Sequence, residues 1–506
     1  MLSNHKKYQS FIILLVATIA FVVVYSQIFD EKLDQNGDNA SYFILGKALA
    51  EGDGFVNINS IQKTPNNHFP PGYPVIISAV IKVFGENARN IKVANSLFLY
   101  LTLVALYFLV KEVSNKNSTA IIAIFLVMMN SHLLRYSSII MTEIPFLFFS
   151  TITILSFTKI NYKRPVWQDK YLYVVIALLS ISLHIRTSGV ALILGIILFL
   201  VFRRHWKHAS IIALGVFLLA LPWQIRNNKY GGSSYVKQLK MVNPYRPELG
   251  KAGPGDYFSR FGNNLHRYLT KEIPTATLSI INANYRQVSS LSEWLYGLFF
   301  FLLIIFGILN LKKFRLLILA YLAGTLTILS LWPDVWIGIR FILPAVPFLI
   351  VGLVNGLQVV FSRVTPQPAR KYMAWLPLII SIFLFPGINS LSMGAKAEIK
   401  PEWTNYYSLA SWLKENNGDE IVVACRKPGL FYLYSNSYTI NHKYTTDDQE
   451  LIKDLIEKQV DYVVLDQLGY SSTSRYLYPA IQKNSEVFEL IQERNNPETY
   501  LFRLKK

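Results

Sequence analysis

Uncharged apolar runs recur along this chain at lengths that a soluble core does not need. Residues 11–25 and 291–309 are free of charge apart from Glu293, and 91–110 carries only Lys92 near its start. Each approaches the roughly 20 residues that span a bilayer as a helix. Only 16% of the 506 residues are charged and 52% are hydrophobic, with a mean hydropathy of +0.30. A soluble chain carries roughly a quarter charged residues. The sequence therefore predicts an all-α polytopic membrane protein. Eleven spans are expected, near 10–29, 91–110, 118–134, 143–160, 171–185, 189–202, 209–224, 291–310, 316–331, 338–360 and 372–388.

Charge placement orients them. The short connections 111–117, 161–170, 203–208, 311–315 and 362–371 are rich in Lys and Arg and hold only Glu112 and Asp169 as acids. Lys6 and Lys7 lie on the same side, so the positive-inside rule places all of these in the cytoplasm. No small-x-small cleavage site follows the first run, which reads as an uncleaved span. The outer face receives residues 30–90, the long loop 225–290 and everything after 389. That loop is basic in its own right, and loops of this length escape the orientation rule. Its charge is available to an anionic partner or to lipid headgroups. The net charge of +19 is thus accounted for without nucleic acid. A lone cysteine, Cys425, excludes an intramolecular disulfide and a thiolate metal cluster.

The tail, residues 391–506, reads as a small soluble α/β domain distinct from the membrane part, 1–390. EIVVACR (420–426), VDYVVLD (460–466), EVFELIQ (486–492) and TYLFRLK (499–505) are strand-like. TTDDQELIKDLIEKQ (445–459) opens with a Thr/Asp cap and continues with helical periodicity.

No ionisable side chain falls mid-span, where an ion-coupled transporter places its coupling site. The charges gather instead at the outer helix ends: Asp38, Glu143, Arg186, Asp334 and Arg340, with His68, His132 and His184 nearby. In ASYFILGKALAEG (40–52) Phe43, Ile44, Leu45, Ala48 and Leu49 oppose Lys47, the pattern of a helix lying in the interface. Pro70–Pro71 in HFPPGYP stiffen the chain before a second short helix expected after Pro74. Together these hold Asp38 at a fixed height above the bilayer.

GDNASY, HFPPGYP, MTEIPF, HIRTSG and WIGIRFILPAVP occur in that order. The set resembles the GT-C superfamily of integral-membrane glycosyltransferases, in the bacterial branch related to protein O-mannosyltransferases and lipid A aminoarabinose transferase. The resemblance implies a polyprenyl-phosphate sugar as donor, membrane lipids around it, and a lipid, glycan or protein acceptor at the outer face of a bacterial inner membrane. It makes Asp38 and Glu143 the catalytic carboxylates and Arg340 and Arg186 the ligands of the donor phosphate. Asn39 departs from the acidic pair many relatives carry, and Asp30–Glu31 rank behind Asp38. Tyr42, His68 and Tyr73 are expected in the substrate pocket. A divalent metal is not required by the sequence; Asp38, Glu143 and His68 are its candidate ligands. Trp332 and Trp336 read as an aromatic belt before a sugar platform. Two alternatives stand: an oligosaccharide transferase using a pyrophosphate-linked donor, and a non-enzymatic flippase of lipid-linked sugars.

Overall fold

The computed structural model describes residues 2–35, 37–281, 283–417 and 420–505. Its membrane part runs α1 (Leu2–Ile28), α2 (Gly37–Glu51), α3 (Gly72–Phe84), α4 (Ala88–Ser114), α5 (Asn117–Met128), α6 (Ser131–Ser137), α7 (Glu143–Phe157), α8 (Lys170–Ile185), α9 (Val190–Phe202) and α10 (Trp206–Lys229). The long loop 225–290, expected on the outer face, holds α11 (Ser234–Leu239), α12 (Pro254–Arg267) and α13 (Ile273–Thr277). After it come α14 (Leu291–Leu309), α15 (Arg315–Ser330), α16 (Val346–Val364), α17 (Arg370–Met373) and α18 (Phe385–Lys396).

Every expected span falls on helix, but the count of eleven is not reproduced. Among the described residues six helices are long and apolar enough to cross a membrane, or seven with α5 and α6 as one span bent by 60°. α7, α8, α9 and α15 are apolar but shorter. Glycine sets the tightest crossing. A Cβ on Gly307 of α14 would stand 1.8 Å from the Gly352 carbonyl oxygen and 2.5 Å from the Gly356 nitrogen of α16. Gly352 and Gly356 are four apart, the small-xxx-small spacing that lets helix backbones meet.

The segment after α1 is buried on more sides than its one-sided apolar pattern predicts. α2 buries Ala40, Tyr42, Phe43, Ile44, Leu45 and Ala48, which no helix exposed along one side could do. It lies between α3, where a Cβ on Gly46 would meet Ile77 Cγ2 at 2.2 Å, and the tail, where a Cβ on Gly429 would come within 3.1 Å of Ala40. Gly52 and Gly54, at φ +90° and +87°, end the helix. A short hairpin follows, β1 (Val56–Asn57) with β2 (Thr64–Pro65), and α3 begins at Gly72, earlier than Pro74.

The tail contains α19 (Pro401–Asn416), β3 (Val422–Ala424), α20 (Pro428–Ser435), β4 (Tyr438–Ile440), α21 (Asp448–Glu457), β5 (Tyr462–Leu465), α22 (Tyr478–Lys483), β6 (Phe488–Arg494) and β7 (Thr499–Leu504). Its sheet order is β4-β3-β5-β7-β6, with β3 parallel to β4 and β5 and the β5–β7 and β7–β6 pairs antiparallel. α21 is capped by Asp447, whose carboxylate accepts from the Glu450 amide at 3.0 Å. The Thr439 amide donates to the Asn59 carbonyl at 2.7 Å, fastening β4 to the first outer segment.

Much of the basic charge in loop 225–290 is not free for a partner. Arg226 donates to the carbonyls of Asn66 and Phe55 and sits 4.7 Å over the Trp223 ring. Arg260 binds the carbonyls of Leu239 and Met241, and Lys271 those of Asn284 and Gln287. Arg267 pairs with buried Glu272 at 2.7 Å. These cations replace water at buried carbonyls, which a loop lacking regular structure must satisfy somehow.

Candidate active site

Asp38 stands in the first turn of α2. Arg340 comes from a one-turn 3-10 helix, Ile339–Phe341, placed after Gly338 at φ +114°. The expected span over 338–360 therefore begins later, and Arg340 rides on a turn that only a left-handed glycine lets form. Arg340 Nη2 donates to Asp38 Oδ2 and its Nε to Glu143 Oε1, both at 2.8 Å. Arg186, at the end of α8, donates Nη1 to the same Glu143 oxygen at 2.8 Å and to Thr142 Oγ1 at 2.9 Å. Two carboxylates and two guanidiniums thus form one neutral chain. Burial would weaken the Arg340 charge, but Glu143 and Asp38 more than reverse that and hold it protonated.

The chain borders a cavity of about 430 Å³. Asp38, Arg340, Arg186 and Thr142 line it, but Glu143 does not: it is fully buried behind the two arginines, and its Oε2 has no hydrogen-bond partner among the described residues. Tyr42 and His68 are on the wall. His68 Nδ1 lies 3.0 Å from Ser234 Oγ, its ring stacks on Tyr235 at 4.6 Å, and burial lowers its pKa. Tyr73 is fully buried away from the wall, where Asn95 donates to its hydroxyl at 2.9 Å. Asp30 pairs with Lys32 and Glu31 with Arg89, neither on the wall. Among the described residues no three His, Cys, Asp or Glu side chains converge as a metal site; Asp38, Glu143 and His68 do not.

The opposite wall was not expected. Trp332 and Trp336, read as a belt, line the cavity, their rings 5.6 Å apart and perpendicular. Tyr235, Gln238 and Tyr245 enter from the long outer loop, and Arg426, Asn441 and Tyr444 from the tail. Burial pushes the Tyr235 hydroxyl up to about 12, so it stays a neutral donor. The run SSYVKQ around Tyr235 carries no motif, and tail residues reach the site through long-range docking, such as Gly429 on α2 and Thr439 on Asn59. Paired tryptophans beside WPDVWIGIR were the one legible signal.

Residues 66–228 match the family model of dolichyl-phosphate-mannose-protein mannosyltransferase. No curated protein matches the chain by sequence. Among solved structures, ArnT from Cupriavidus metallidurans bound to undecaprenyl phosphate superposes with a TM-score of 0.63 at 8% identity, over 97% of each chain. The Archaeoglobus fulgidus oligosaccharyltransferase tethered with an acceptor peptide gives 0.62 at 13% identity, over 100% of this chain and 75% of that one. The chain thus shares its fold throughout with these two proteins, and residues 66–228 are similar to the mannosyltransferase family.

Proposed function

We propose that the protein is a membrane glycosyltransferase that moves a sugar from a polyprenyl-phosphate carrier to an acceptor hydroxyl at the outer face of a bacterial inner membrane. The observation that carries this reading is the Asp38–Arg340 contact on the wall of a sugar-sized cavity. Residues 1–390 form the catalytic membrane part and 391–506 the outer domain that closes over it. ArnT was solved with undecaprenyl phosphate, and the family matched over 66–228 is described by a polyprenyl-type phosphate donor; both support the donor class.

In the proposed step the acceptor oxygen bonds to the sugar's anomeric carbon as the bond from that carbon to the phosphate oxygen breaks. The acceptor proton passes to Asp38 as general base, a contribution of roughly 10²–10⁴-fold. The electron pair stays on the departing phosphate oxygen, whose charge the guanidiniums of Arg340 and Arg186 stabilise by hydrogen bonds. Planar paired donors fit phosphate oxygens better than a point charge does. Glu143 is then a positioning residue that aims both arginines. Trp332 and Trp336 offer the sugar an apolar face, Tyr42 and His68 its polar rim.

The test is consumption of a labelled polyprenyl-phosphate sugar in membranes holding wild type or Asp38→Ala at matched levels. Loss of label from the carrier in wild type alone supports the reading. Equal consumption by both removes Asp38 from the chemistry, and consumption by neither overturns the reading with this donor.

A further inference from the structure

A second cavity of about 420 Å³ adjoins the first and shares Tyr245, Arg426 and Tyr444 with it. It lies between the long outer loop and the tail. Four cations line it: Arg246, Arg426, Lys427 and Arg475. Arg246 pairs with Glu248 at 3.1 Å, and Arg475 reaches the same carboxylate at 3.8 Å. Arg426 and Lys427 form no ion pair among the described residues. They stand over the ring of Tyr470, 4.4 and 4.6 Å from its centre. The acids whose fields reach Lys427, namely Asp38, Asp34 and Asp466, are not on this wall.

Two further groups await a partner. Ser472 and Tyr476, 8% and 4% exposed, line the cavity, and their buried hydroxyls have no hydrogen-bond partner among the described residues. They flank and enter a π-helical turn, Thr473–Leu477, a local distortion often found at functional sites. Arg426 Nε is also buried and unpartnered among those residues. Burial, and then Arg426 beside it, lowers Lys427 to about 8. Adjacent half-buried cations facing idle hydroxyls are costly unless an anion joins them.

We propose that this second cavity holds an anionic sugar unit of the acceptor, its phosphate or carboxylate among Arg426, Lys427 and Arg475 and its ring against Tyr470. The inference rests on the transferase reading, because Arg426, on both walls, is what would seat the rest of the acceptor beside Asp38. The first cavity already has Arg340 and Arg186 for a donor phosphate at the helix ends. The second is built wholly from residues of the outer loops and the tail, on the side where the water-soluble part of an acceptor arrives.

The experiment uses the full chain in lipid nanodiscs and reads acetylation of Lys427 by mass spectrometry, with exposed Lys251 as internal reference. The probes are glucose 6-phosphate, glucuronate and glucose. Glucose 6-phosphate or glucuronate is expected to shield Lys427 and leave Lys251 unchanged, while glucose shields neither. Whichever of the two shields at the lower concentration names the anionic group. Arg475→Gln is expected to raise the half-shielding concentration on the order of tenfold, as loss of a charged hydrogen bond does. Ser472→Ala, a milder change, should raise it by a smaller factor. Equal shielding by glucose, shielding by none, or shielding by undecaprenyl pyrophosphate in place of the sugar acids overturns the proposal. Acetylation needs no sugar transfer. A chain that shields Lys427 but consumes no donor keeps the anion site and loses the transferase reading, and the opposite result loses only this one.

Discussion

Arg340 Nη2 lies 2.8 Å from Asp38 Oδ2, joining a turn late in the membrane part to the first turn of the first outer helix. The same guanidinium spends its Nε on Glu143. One planar group thereby sets the spacing of two acids that no local sequence pattern could fix. Arg340→Lys keeps the charge but cannot bridge both. It is expected to lower transfer by about 10²–10³-fold, the usual cost of one lost preorganised donor, with the carrier still bound. Turnover of labelled carrier in membranes checks this.

Asp38→Asn keeps shape and removes basicity. Transfer should fall roughly 10²–10⁴-fold while thermal unfolding of the purified chain stays near wild type, since the Asp38 side chain is 33% exposed. Wild-type turnover by Asp38→Asn would remove it as the base.

Glu143→Gln acts differently, because Glu143 is fully buried between two arginines. Removing one partner of a buried ionic network typically costs about 3–5 kcal/mol. The variant should show a clearly lower unfolding midpoint in detergent, along with lost activity. A midpoint equal to wild type would contradict the role of Glu143 as the buried anchor of both arginines.

These residues mark how far the sequence could be read. Asp38, Glu143, Arg186 and Arg340 stood out because they gather at the expected outer helix ends and fall in the motifs of the GT-C resemblance, and they do meet in one chain. Tyr73 was misplaced because an interfacial tyrosine looks the same whether it faces a cavity or Asn95. α2 looked apolar on one side only, because the burial of its other side follows from Gly429 docking on Ala40. Lys and Arg in loop 225–290 looked available because carbonyls that need donors leave no trace in a sequence. The count of eleven includes α7, α8, α9 and α15, whose hydropathy is high but which are shorter than a full span.

Gly307→Leu tests the tightest crossing. Its Cβ would enter the Gly352 carbonyl at 1.8 Å, a backbone atom that cannot rotate away. The cost should exceed the 1–3 kcal/mol or so of ordinary overpacking, read as loss of folded protein on gel filtration in detergent. Gly394→Ala, where nothing stands within 4 Å, serves as the tolerated control.

Burial raises the Asp466 carboxyl to about 6 from an ordinary 3.8. A group raised in the folded state gives its full stability below the ordinary value and loses it as pH climbs through the raised one. The loss above pH 6 is on the order of 2–3 kcal/mol. Asp466→Asn should therefore unfold at higher temperature than wild type at pH 7, the gap closing toward pH 4. A gap that is constant across that window would refute the assignment to this carboxyl.

Synthesis proceeds from Asp38 toward Gly429, yet α2 is wedged between α3 and α20. A ribosome-bound chain that has inserted every membrane helix has α3 but not α20 to pack against α2, and neither Arg426 nor Tyr444 beside Asp38. A chain lacking residues 391–506 would keep the partners of the Asp38–Arg340 contact but lack the wall that Arg426, Asn441 and Tyr444 build around it.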